Sequence, residues 1–138
     1  MKQFVSRTVI AVALALILTA CGGGAGSVSR AIDVTITDFT FSPNSFTVPA
    51  GAQIAFTGVN NGAVEHSFFV LKKGYQVQAH FTDADKANIF WGMDHIAPGT
   101  SFKNSFVAPG DPGDYQIVCG VQGHFEAGMI AKLIVVNP

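Results

Sequence analysis

A two-residue alternation of apolar and polar side chains constrains this chain more than any other feature. Ile32, Val34 and Ile36 are interleaved with Asp33, Thr35 and Thr37, and a period of two suits a half-buried strand rather than a helix. Phe46 and Val48 continue the pattern up to Pro49-Ala50-Gly51, and Ile54 and Phe56 resume it until Asn60-Asn61-Gly62. Gly, Pro and Asn clusters of this kind mark turns. Ser67 to Leu71 is a short apolar run closed by Lys72-Lys73-Gly74, and Phe102 and Phe106 bracket a further strand before Pro109-Gly110-Asp111-Pro112-Gly113. Tyr115, Ile117 and Cys119 share one strand face, as do Ala131, Leu133 and Val135. Only Thr82 to Phe90 reads as helical, with Thr82 as N-cap and Asp83 and Asp85 in the first turn, where negative charge is favourable. About seven short strands between Gly/Pro turns predict an all-β fold, an antiparallel Greek-key sandwich of immunoglobulin-like shape with one short helix.

The N-terminus is set apart from that domain. Residues 1–20 read as a signal peptide: Lys2 and Arg7 give a positive start, and Val9 to Leu18 form an uncharged apolar run, short of the roughly 20 residues a spanning helix needs. Leu18-Thr19-Ala20-Cys21 resembles the bacterial lipobox, which implies that Cys21 carries lipid. Residues 21–30 are rich in Gly and Ser and read as a flexible tether, leaving residues 31–138 as one folded domain. Once Lys2 and Arg7 are removed, 6 Lys+Arg stand against 9 Asp+Glu, a charge of −3. That balance excludes a basic nucleic-acid footprint. The expected product is an extracytoplasmic lipoprotein, periplasmic or on the outer face of the cell membrane, and a monomer.

With Cys21 lipidated, Cys119 has no disulfide partner, and a lone thiol in an exported chain needs a reason to exist. Its neighbours supply one. Cys119-Gly120-Val121-Gln122-Gly123-His124-Phe125-Glu126-Ala127-Gly128-Met129 has the spacing C-x4-H-x4-M between two strands, so a thiolate, an imidazole and a thioether can converge at one end of a sandwich. A second imidazole would come from an adjacent strand, which His66 begins. Two imidazoles and a thiolate with a weak axial Met are the donor set of blue-copper sites, and copper also exceeds zinc in intrinsic affinity. Structural zinc prefers a fourth strong ligand, and catalytic zinc keeps that place for water.

His66-Ser67-Phe68 together with Cys119 to Met129 resembles the cupredoxin, or type 1 blue copper, family. Val48-Pro49-Ala50-Gly51, Phe56 and Asn60 are also similar to it. The loop is similar to those of the auracyanin-like membrane-tethered carriers and of rusticyanin, whereas plastocyanin has a shorter Cys-to-His spacing. The resemblance spans Ile32 to Val136. It implies His66, Cys119 and His124 as equatorial ligands of one copper and Met129 as the axial one. Ser67 stands where the family often has Asn, and Glu65 where many members have Gly. The resemblance also implies an electron port at the exposed edge of the second His, with Val121 and Phe125 as a possible docking surface.

His80 and His95 lack such company and read as surface residues, Met93 as packing, and Trp91 and the Phe residues as core. No acid–base pair or open coordination position points to an enzyme. The expected function is a mononuclear copper electron carrier between membrane-associated redox partners. The alternatives are a copper-binding or delivery lipoprotein and a metal-free scaffold lipoprotein. The last leaves Cys119 unexplained.

Overall fold

The computed structural model describes residues 26–138. The expected signal peptide, the lipid site at Cys21 and residues 22–25 of the tether lie outside the described residues. Among the described residues nine strands run in order: β1 (Ala31–Thr37), β2 (Thr40–Ser42), β3 (Ser45–Pro49), β4 (Gln53–Asn60), β5 (His66–Leu71), β6 (Ile89–Ile96), β7 (Ser101–Val107), β8 (Gly113–Val118) and β9 (Ile130–Val136). They form a four-stranded sheet, β2-β1-β4-β7, and a five-stranded sheet, β3-β9-β8-β5-β6.

The alternation in β1 is realised residue by residue, with Ile32, Val34 and Ile36 buried and Ala31, Asp33 and Thr37 exposed. The expected sandwich is present, but its pairing is mixed rather than wholly antiparallel. β1 runs parallel to β4, and β3 runs parallel to β9. The reason lies in the connections: β3 leaves the sheet of β1 and β2 to form the edge of the other sheet, and β4 returns to pair with β1.

β5 is buried along its whole length, because both of its faces are covered. Phe68 and Val70 enter the core between the sheets, while Phe69 and Leu71 join Val77, Val118 and Phe125 in a smaller cluster on the other face. A strand covered on both sides reads as a continuous apolar run, which explains Ser67 to Leu71. Phe68 is the hub of an aromatic ladder. Its ring centroid lies 4.8 Å from Phe56, 5.1 Å from Phe41 and 6.1 Å from Phe46. Trp91 is half-buried and stacks on Phe106 at 4.3 Å.

The one helix among the described residues is a 3-10 segment, Asp83–Asn88. Asp85 Oδ2 accepts the backbone N–H and the hydroxyl of Thr82, both at 2.6 Å, and Oδ1 accepts the Tyr75 hydroxyl at 2.6 Å. The expected helix extended to Phe90, but Ile89 and Phe90 open β6, since Ile89 pairs with Leu71 of β5. Strand pairing overrides weak local helix preference there.

Phe68 is fully buried against three other rings, so Phe68→Ala leaves a cavity that its neighbours fill only in part. We expect a loss of about 3–5 kcal/mol in urea unfolding of the metal-free protein.

Candidate metal centre

One end of the sandwich gathers the chemistry-bearing side chains. His66 is the first residue of β5 and is completely buried. The segment before it is pinned by Asn60, also fully buried, whose Nδ2 donates to the carbonyls of Val64 and Ile96 at 2.9 Å each. Asn60 Oδ1 accepts the Gly62 N–H at 2.9 Å. The three-residue run Gly62-Ala63-Val64 is thereby tied to the end of β6, and His66 enters the strand in one position.

The other donors lie on the β8–β9 loop. Its base is closed by Cys119 N–H donating to the Met129 carbonyl at 3.2 Å. Inside the loop, His124 N–H donates to the Val121 carbonyl and Met129 N–H to the His124 carbonyl, both at 3.0 Å. Gly123 and Gly128 take φ of +85° and +91°, a conformation that side-chain-bearing residues rarely adopt. These turns fold the eleven residues of the Cys-to-Met segment back so that His124 stands over Cys119.

The result is a close triad. His66 Nδ1 and His124 Nδ1 are 3.1 Å apart, and Cys119 Sγ lies 3.4 Å from the His124 nitrogen and 4.0 Å from that of His66. His66 and Cys119 are fully buried and His124 is 7% exposed. Met129 is fully buried in the same core cluster as Cys119. Ser67 links the strand to the loop: its N–H points at Cys119 Sγ at 3.4 Å, its hydroxyl lies 3.7 Å from that sulfur, and the hydroxyl oxygen accepts Gly120 N–H at 2.7 Å.

Burial lowers the pKa of both imidazoles. For His66 the adjacent Asp38 carboxylate opposes that shift, and for His124 the neighbouring His66 adds to it. Both rings are therefore neutral over a wider pH range than a free histidine, and each keeps one lone pair. Three electron-pair donors face one another across a buried space, an arrangement that suits a cation. Metal–nitrogen and metal–sulfur bonds of about 2.1 and 2.3 Å at 120° would separate donors by roughly 3.6 Å (N to N) and 3.8 Å (N to S), near the observed separations. The three side chains fit a soft transition metal, with Met129 as a neutral sulfur at hand.

The structure brings together His66, Cys119 and His124, with Met129 closing the loop that carries the last two. His80 stands apart, in a surface cleft with Phe81, Gln122 and Glu126. His95 is exposed, its Nδ1 2.9 Å from Glu65 Oε1. Met93 packs against the core and Val121 is half-buried there. The expected docking role of Phe125 needs correcting. Its ring is only 8% exposed and packs with Phe69, Leu71, Val77 and Val118, because β8 has a second covered face. The aromatic that lies against His124 from outside is Phe39, edge-on with centroids 5.0 Å apart and 45% exposed. Sequence reasoning passed over both Phe39 and Asp38, since neither breaks the strand alternation strongly enough to signal a site.

Residues 8–135 match the family model described as a cupredoxin-like domain. The chain is 31% identical to the copper-resistant cuproprotein CopI of Rubrivivax gelatinosus, over 82% of this chain and 70% of that protein. It is 29% identical to auracyanin-A of Chloroflexus aurantiacus, over 98% of this chain and 99% of that one. The crystal structure of dithionite-reduced auracyanin from Roseiflexus castenholzii superposes with a TM-score of 0.69 at 25% identity, covering 80% of this chain and all of that one. Reduced rusticyanin, at 23% identity, shares the fold with a TM-score of 0.57, over 80% of this chain and 83% of its own. By its motif, its two-sheet architecture and these matches, the chain belongs to the cupredoxin-like family.

Proposed function

We propose that this protein is a mononuclear copper electron carrier, exchanging single electrons with redox proteins at a membrane face outside the cytoplasm. The observation that carries the reading is the buried triad of His66 Nδ1, Cys119 Sγ and His124 Nδ1, mutually 3.1 to 4.0 Å apart. The donor set is that of one type 1 copper, and bound copper supplies a one-electron couple. His66, Cys119 and His124 would hold it, with Met129 as a further, weaker donor. The residues of the chain do the remaining work. The pinched loop and Asn60 fix the donors before any metal arrives, so a change of oxidation state demands little movement. Ser67 directs its N–H at the sulfur and steadies the negative charge there. Burial keeps water from the donors and lets the rings bind metal as neutral groups.

The lipid anchor at Cys21, a monomeric state and redox protein partners belong to the same proposal. A second reading, copper binding for resistance or delivery, draws support from the similarity to the cuproprotein CopI. The two are separated by electron self-exchange, which is fast in a carrier, and by copper transfer to a chelating acceptor, which is fast in a delivery protein.

The full chain given Cu(II) is expected to turn intensely blue through sulfur-to-copper charge transfer, and ascorbate should bleach it reversibly. Cys119→Ser should lose that absorption completely while its far-ultraviolet dichroism stays that of a folded sandwich; a blue variant refutes the assignment. Met129→Leu should keep the colour and raise the reduction potential, because an electron-pair donor is removed; a fall in cyclic voltammetry contradicts the role given to that sulfur.

A pH dependence follows from the lowered imidazole pKa values. The unfolded chain takes up protons at His66 and His124 near the ordinary value of 6.5, before the folded protein does. Stability of the metal-free protein is therefore full above that pH and declines as pH falls through it toward the folded values. Urea midpoints measured at successively lower pH should drop across this window, and substituting both histidines by Gln should flatten the change.

A further inference from the structure

The turn between β1 and β2 has two residues, Asp38 and Phe39, closed by the pairing of Thr37 with Thr40. Positive φ in such turns is usually supplied by Gly, Asn or Asp. Phe39 sits at φ +66° with its side chain 45% exposed. A bulky residue in the left-handed region is a genuine outlier, and this one is only partly buried. Strain of this kind persists where the surroundings use it. What the conformation delivers is contact: the ring meets His124 edge-on, at an interplanar angle of 89°.

Its neighbour reaches the other imidazole. Asp38 Oδ1 lies 3.4 Å from His66 Nε2 and is fixed by accepting the Ala63 N–H at 2.9 Å. His66 Nε2 is buried and has no aligned hydrogen-bond partner among the described residues, so the carboxylate supplies the negative charge that its N–H faces. Space for this approach comes from Gly62, where a Cβ would collide with Asp38 Oδ1 and crowd His66 Nε2. One two-residue turn thus touches both rings, and at His66 it does so at the nitrogen opposite the one that faces Cys119.

We propose that the Asp38–Phe39 turn is a positioning device for the two imidazoles. Asp38 keeps the proton of His66 on Nε2, leaving the Nδ1 lone pair toward Cys119, and Phe39 holds the plane of His124. The inference rests on the copper reading above and deepens it. A carboxylate behind a ligating imidazole raises its basicity, which favours the more highly charged Cu(II) over Cu(I). Both residues act through the histidines and are positioning residues.

The test uses the full chain, as wild type, Asp38→Asn, Asp38→Ala, Phe39→Gly and Phe39→Tyr, with and without copper. Asp38→Asn removes the charge at nearly constant shape, and Cu(II) affinity should fall about tenfold or more. If Cu(I) affinity is unchanged, each tenfold raises the potential by about 59 mV. Phe39→Gly suits the positive φ and should fold at least as well as wild type, yet weaken or shift the blue absorption, and Phe39→Tyr should restore it. In the metal-free protein, nitrogen NMR should place the His66 proton on Nε2 in wild type and show loss of that preference in Asp38→Ala. If Asp38→Ala does not fold, Asp38→Asn decides by the same two measurements. Unchanged potential and tautomer in the Asp38 variants, with an unchanged spectrum in Phe39→Gly, overturn the proposal. Should wild type take up no copper, the copper reading fails by itself, and the tautomer of His66 still decides the role of Asp38.

Discussion

The site depends on the junction between the strand that begins with His66 and the loop that begins with Cys119. Ser67 makes that junction, accepting Gly120 N–H at 2.7 Å while its own N–H faces the Cys119 sulfur at 3.4 Å. The pairing of β5 with β8 already sets the two elements side by side, and Ser67 extends that frame to the imidazole and the sulfur themselves. A second closure, Cys119 N–H to the Met129 carbonyl, converts the loop from a flexible connection into a short hydrogen-bonded cup. Each bond is worth only about 1 kcal/mol net, so their importance is geometric. They set donor separations that a cation can satisfy.

That frame is buried, and burial gives the donors their character. Removing imidazoles from water disfavours the protonated form, so His66 and His124 remain electron-pair donors in mildly acidic surroundings. The two imidazole nitrogens and the Cys119 sulfur stand 3.1 to 4.0 Å apart, close enough for one cation to meet all three. The aromatic ladder around Phe68 supports the arrangement from below, because a close-packed interior resists displacement of the strand that carries His66. The Asp38–Phe39 turn meets the same rings. The histidines are thus held between a rigid core and a strained turn.

Much of this was legible in one dimension, though unevenly. The alternation in Ile32-Asp33-Val34-Thr35-Ile36 identified β1 directly, and Thr82 with Asp85 marked the start of the only helix among the described residues. β6 was hidden, because Ile89 to Ile96 has no clean alternation: its middle residues are half-buried, and its pairing with β5 is irregular at two places. β2, at three residues, was too short to carry a period. Phe125 was misjudged because an apolar residue beside a ligand reads the same whether it faces solvent or a second covered sheet face.

The sequence by itself determined the identity and order of the donors, since the spacing from Cys119 to His124 to Met129 is a property of one continuous segment. It also determined that the chain would build strands, because periodicity is local. Only the tertiary structure decided the parallel pairings, the double burial of β5 and the meeting of His66 with that segment across a sequence separation of 53. It alone placed Asp38 and Phe39 on the two imidazoles. Contacts between distant segments follow from how sheets stack and turns close, and no local pattern encodes them.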